Sequence, residues 1–172
     1  GVTAAERLLE LSEEEIAGML AENADEPYAR EIAGELAGRI RRGRKPETTA
    51  QLREAVEATL AFLPEDKQKK DVVKKTCQRV FQAIRIDVNS EFEVLDAMLA
   101  GLPEAMAPGG RAAILTFHSG EDRLVKKAFK RFYNEGIFCD IAKDVIRPSA
   151  EECRRNGRAG CAKLRWAVKA EM

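Results

Sequence analysis

The sequence predicts an α/β chain that is mostly helical, on three observations. Apolar residues recur at helical spacing through the first half, with capping residues at the starts of the runs. The stretch 108–129, PGGRAAILTFHSGEDRLVKKAF, reads as a turn, a buried strand, a polar strand end and a helix. Near the end, Leu164, Trp166 and Val168 alternate with Lys163, Arg165 and Lys169, the period of a half-exposed strand with its apolar side inward.

The elements follow in order. Thr3 with Glu6, and Ser12 with Glu15, are capping boxes. They open two helices whose inner residues are Leu8, Leu9 and Leu11, then Ile16, Met19 and Leu20. After a break at 23–27, residues 28–42 place Ile32, Leu36 and Ile40 on one helical face, and Gly43 and Pro46 end it. Thr48 with Gln51 starts a helix to about position 63. A longer helix over about 71–85 carries Val73, Cys77, Phe81 and Ile84 on one stripe. Arg85, Asp87, Asn89 and Glu91 then form a polar strip where helix passes into loop. Ser90 with Glu93 caps a helix holding Phe92, Leu95 and Leu99. Residues 112–117 have the length and composition of a strand buried on both faces. Ser119 with Asp122 caps a basic amphipathic helix over 121–133. Its Leu124, Val125 and Phe129 face inward, and Lys126, Lys127, Lys130 and Arg131 face outward. A short strand at 137–141, a short helix opened by Ser149 with Glu152, and the alternating strand at 162–170 close the chain. Two parts emerge: a helical domain over 1–86 and an α/β part over 87–172.

A chain of 172 residues buries a real core, and 45% hydrophobic with 34% charged residues is a soluble, helix-rich composition. No apolar run approaches the ~20 residues of a membrane span. The acidic start is unlike a secretory signal, so a cytoplasmic setting is expected. Cys77, Cys139, Cys153 and Cys161 lack CxxC spacing and paired histidines, which predicts reduced thiols and no metal site. Formal charge is zero but uneven. Residues 6–35 are acidic, while 39–85 carry basic clusters at 39–45 and 67–75. Such a face suits RNA, although solvated helix faces give the same pattern.

Strand, polar tip, helix is the local geometry of open α/β sheets, whose ligands sit beyond the carboxyl ends of the strands. His118, the only histidine, stands at that tip with Ser119. It could orient a substrate or help move a proton, or simply cap the helix. Glu121 and Asp122 suit a helix start for dipole reasons alone. Arg123 could pair locally or meet phosphate.

The same residues resemble a known family. FHSGEDRLVK is similar to the FHSLEDRIVK signature of the RsmH (MraW) methyltransferases. FQAIRIDVNSEF at 81–92 resembles FQALRIxVNxEL, and RKPETTAQL at 44–52 resembles RxPITTTxQL. The closing RPSAEECRRNGRAGCAKLRWA resembles RPSxEEIxxNPRxRSAKLRxA. The resemblance implies an S-adenosylmethionine-dependent enzyme that methylates the exocyclic amine of a cytosine in small-subunit ribosomal RNA. It further implies a helical insertion over 1–86 and, over 87–172, the closing part of a Rossmann-like class I methyltransferase sheet. His118, Ser119, Asn89 and Arg85 become the expected catalytic residues. Arg123, Arg147, Ser149, Arg154, Arg155 and Arg158 become the expected RNA contacts.

Departures matter too. Gly120 stands where the signature has leucine, and the sequence leaves open whether a flexible residue there loosens the loop. No glycine-rich nucleotide loop is present, so the donor-binding residues are expected in a preceding part that this sequence lacks, and the chain alone should be inactive. Strand 112–117 would then offer an open edge for self-association or for the missing half. The alternatives are a non-catalytic RNA-binding or assembly module derived from such an enzyme and, weakly, a binding protein for another nucleotide.

Overall fold

The computed structural model describes residues 1–171; the side chain of Lys67, one of the lysines in the second basic cluster, lies outside that description. The chain divides into two compact units, Gly1–Glu91 and Phe92 onward. Among the described residues there are eight α-helices and one three-stranded sheet. No helix among them is long and apolar enough to cross a membrane.

The first unit holds α1 (Ala4–Glu10), α2 (Glu13–Ala24), α3 (Ala29–Arg41), α4 (Thr49–Thr59) and α5 (Lys67–Asn89), with a 3-10 turn at Leu60–Phe62. Thr3, Ser12 and Thr48 close reciprocal capping boxes with Glu6, Glu15 and Gln51. Those bonds hold the Glu6 and Glu15 carboxyls below their ordinary range. Ile16, Leu20, Ile32, Leu36, Val56, Leu60 and Val80 are fully buried. Leu9, expected inside, is exposed, because only Leu8 of that short helix faces the core. Two ion pairs cross the unit. Arg7 donates to Asp87 at 2.7 Å, which drives the guanidinium pKa up. Arg79 donates to the fully enclosed Glu26 at 2.6 Å. Helix α5 extends past the expected end at 85, so Arg85, Asp87 and Asn89 occupy its last turns instead of a loop. Ser90 ends it in a left-handed conformation (φ 49°), its N–H donating to Asp87 and Ile86 carbonyls.

The second unit runs α6 (Glu91–Ala105), β1 (Arg111–Thr116), α7 (Ser119–Asn134), β2 (Phe138–Ile141), α8 (Ala150–Arg155), a 3-10 turn (Gly157–Cys161) and β3 (Lys163–Lys169). Gly109 (φ 70°) and Gly110 make the turn into β1; a side chain at Gly110 would meet the Ala107 carbonyl at 2.7 Å. The sheet order is β1-β3-β2, with β3 antiparallel to both neighbours. The core beneath one face joins Leu99, Val125, Phe129, Phe132, Phe138 and Ala167. Phe138 meets Phe129 and Phe132 edge-on at 5.7 and 5.3 Å.

Two sequence expectations fail here. The faces of β3 are reversed: Arg165 and Ala167 are buried, while Leu164, Trp166 and Val168 are only half-buried. Arg165 is inward because it pairs with Asp122 of α7 at 2.8 Å. Lys169 is inward because its Nζ donates to the Pro103 and Met106 carbonyls at the end of α6, at 2.6 and 2.7 Å. Nor is β1 buried on both faces. Ile114 and Thr116 turn toward the helices, whereas Ala113 and Leu115, the latter 53% exposed, join Leu164 and Trp166 on an open apolar face.

Candidate active site at the tip of strand β1

Strand β1 ends at Thr116, whose hydroxyl donates to the Lys163 carbonyl at 3.3 Å. The chain then passes through exposed Phe117 to His118, which is extended (φ −140°, ψ 164°) and is itself the N-cap of α7. The cap was expected at Ser119, which instead is the first helical residue. His118 Nδ1 accepts the Glu121 N–H at 3.4 Å. In a neutral ring that leaves the proton on Nε2, which lies 3.2 Å from Glu121 Oε1. The other Glu121 oxygen accepts the Phe117 N–H at 3.0 Å. The backbone N–H of Glu121 thus anchors the imidazole at Nδ1, and its carboxylate lies beside Nε2.

Phe92 packs on the other side of the imidazole, its ring centroid 5.7 Å away and tilted 36°. Gly120 makes room for it. A Cβ there would sit 2.5 Å from Phe92 Cζ and 3.2 Å from the His118 ring. Gly120 is buried and helical, and Phe92 occupies the space a side chain would take there. Phe92 itself stands where the motif has leucine, so a large residue at 92 and a small one at 120 share one space.

Sequence reading assigned Asp122 a helix-start role and placed Arg165 on the outer side of β3, and did not pair them. They form a two-bond pair at 2.8 and 3.1 Å, with side chains 14% and 9% exposed. The pair ties the first turns of α7 to β3 and so fixes the height of His118 above the sheet. The signal available was the recurrence of an acid in one motif and an arginine in another, without any spacing to join them.

Arg85 and Asn89 belong to the first unit. Arg85 grips Glu91 with two bonds at 2.9 and 3.0 Å, and Asn89 donates to the same carboxylate at 3.1 Å. They flank an apolar groove of about 320 Å3 that brings together Pro46, Thr48 and Leu52 of one motif with Phe81, Ile84 and Val88 of another. Sequence reading placed those motifs 30 residues apart without joining them. His118 and Ser119 stand together at the tip in the second unit, with exposed Arg123 one helical turn on.

The remaining expected contacts gather on one segment. Arg147 is exposed just beyond Ile146, which bridges to Leu164 of β3. Ser149 is the N-cap of α8, its hydroxyl accepting the Glu152 N–H at 3.1 Å. Arg154 and Arg155 are exposed on α8, Arg155 pairing with Glu151, and Arg158 is exposed in the following turn. The four thiols form no disulfide; Cys77 is buried and its pKa is raised by that burial.

An α/β unit with its polar residues collected where a strand hands over to a helix has the local geometry of open α/β sheets, whose ligands sit beyond the carboxyl ends of the strands. Comparison narrows this. The family model described as the MraW methylase family matches residues 1–170, and the chain belongs to that family. It is 62% identical over 171 residues to ribosomal RNA small subunit methyltransferase H 1 of Agathobacter rectalis, covering 99% of this chain and 49% of that protein. The corresponding protein of Lachnoclostridium phytofermentans is 56% identical over 170 residues, and methyltransferase H of Elusimicrobium minutum is 38% identical over 167. These matches cover 46% and 54% of the relatives. The chain spans about half the length of the curated relatives it matches.

Proposed function

We propose that this chain is the carboxyl-terminal portion of an S-adenosylmethionine-dependent methyltransferase acting on the exocyclic amine of a cytosine in small-subunit ribosomal RNA. The observation that carries the reading is the fixed strand tip, His118-Ser119 on α7, within a chain of the MraW methylase family. Residues 1–86 are read as the helical insertion and 87–172 as the closing part of a Rossmann-like sheet. The order β1-β3-β2, with the last strand antiparallel between the two before it, supports that assignment. So do the open apolar face and free edge of β1, which would receive the rest of the sheet or a second copy.

Methylating an amine requires its lone pair to be aligned with the methyl group, and positioning supplies most of the acceleration. His118 and Ser119 would hold the base. The His118 ring is set by Glu121 and Phe92, and Ser119 sits at the positive end of α7. Arg85 and Asn89 are kept as proposed catalytic residues, and Glu91 accepts from both. Arg123 and the exposed 147–158 segment, with Arg147, Ser149, Arg154, Arg155 and Arg158, would meet RNA phosphates, which give affinity without sequence information. The donor site is assigned to the other half, since the sequence here carries no glycine-rich nucleotide loop.

The test is calorimetric titration of the chain with S-adenosylhomocysteine, alone and after addition of the amino-terminal half of a relative. No heat alone, and saturable binding with methyl transfer to small-subunit RNA once the half is added, is the expected result. Saturable one-to-one binding by the chain alone overturns the assignment of the donor site. Assembly with the half but no transfer favours a non-catalytic RNA-binding module.

A further inference from the structure

A second site lies away from the strand tip, on the other end of α7. Lys126, Lys130 and Tyr133 line a cleft of about 390 Å3 closed on its far side by Ile141, Ala142 and Lys143. Its floor is apolar, with Phe129 buried beneath. Tyr133 is 48% exposed, so an aromatic face stands open at the mouth. Lys126, Lys130 and Lys143 are exposed and make no ion pair among the described residues. The acid lining the cleft, Asp140, accepts the N–H of Ile141 at 2.9 Å, and Arg165 below is occupied by Asp122. Lys126 and Lys130 are one helical turn apart, a like-charged spacing that works against the helix. A ligand of opposite charge would offset that cost.

We propose that this cleft binds a single-stranded stretch of RNA, one base stacking on Tyr133 while neighbouring phosphates meet Lys126, Lys130 and Lys143. An apolar floor, an open aromatic ring and a row of lysines are the parts of a stacking platform with an electrostatic track. The lysines are spread along α7 and across to β2 instead of converging on one point, which fits a strand better than a lone phosphate. They are point charges without the planar fork of arginine, which gives sequence-tolerant holding. The choice of RNA as ligand rests on the reading above; the cleft itself does not take part in the strand tip. It would hold flanking nucleotides away from the reacting base.

The test is fluorescence anisotropy of the whole chain with a labelled single-stranded oligouridylate of about ten nucleotides, read across salt. Tyr133→Ala is expected to weaken binding roughly 5- to 150-fold, the range for losing one stacked base. Tyr133→Phe keeps the ring and should bind as the parent. Lys126→Ala with Lys130→Ala should make the log–log salt slope shallower by about 1.4, two phosphates at about 0.7 each. The proposal is overturned if the chain does not bind the strand, if the Tyr133 and lysine variants bind as the parent does, or if Tyr133→Phe is as weak as Tyr133→Ala. Failure of the wider reading is separate: it appears in the methyl-transfer assay with the added half, which the strand-binding assay does not contain.

Discussion

Replacing Asp122 by alanine probes the joint that sets the strand tip. Its carboxylate takes both Arg165 bonds, at 2.8 and 3.1 Å, in a place where the two side chains are 14% and 9% exposed. The truncation leaves a guanidinium under α7 without a counter-charge. A pair so enclosed loses about 3–5 kcal/mol when one partner is removed, against about 1 kcal/mol or less for an exposed pair. Asp122 also lies in the first turns of α7, where a carboxylate adds about 0.3–1 kcal/mol through the helix dipole. The expected loss is about 4 kcal/mol, a large share of the ~5–15 kcal/mol that holds a domain folded. Removing both charges, as Asp122→Leu with Arg165→Met, should recover most of it, because apolar replacements need no counter-ion. Urea unfolding followed by fluorescence of Trp166, the single tryptophan and a residue of β3, reports on this unit. A loss below about 1 kcal/mol, or a double variant as weak as the single one, refutes the view that this pair fixes α7 on the sheet.

The shared space at the tip predicts a coupled pair. Gly120→Leu should destabilise the second unit by about 1–3 kcal/mol through overpacking, and Phe92→Leu in the same chain should restore it, measured as a double-mutant cycle. In thiol titration, exposed Cys139 and Cys161 should react first, and buried Cys77 only on unfolding. Burial raises the Cys77 pKa in the folded state above the ordinary 9.0, so its proton is lost first from the unfolded chain. Stability should then be full below pH 9.0 and fall as pH rises past it; a melting temperature flat across that range counts against the burial. Leu115→Lys on the open face of β1 should reduce any self-association seen by sedimentation equilibrium, and a parent chain monomeric at high concentration refutes pairing through that face.

What could be read from the sequence was whatever a few neighbouring residues decide among themselves. Three capping boxes stand where Thr3, Ser12 and Thr48 announced them, because each is closed within four residues. The strand at 111–116 and its polar tip were legible for the same reason. Alternation in β3 was legible as a strand but not as an orientation, since period two divides residues into two faces without naming the covered one. The covered face was chosen by Asp122, 43 residues earlier, and by the α6 carbonyls at Pro103 and Met106, which give Arg165 and Lys169 inward partners. The Ser119 cap was displaced for a related reason. His118 has a ring nitrogen that reaches the same N–H, and Phe92 and Glu121 hold the ring in place to use it. Leaving Leu164 and Trp166 outward would be a poor choice for a sheet meant to stand in water. It is a reasonable one for a sheet whose other face is to be covered by a further layer, and on that ground the reversed strand and the half-length match to the relatives point the same way.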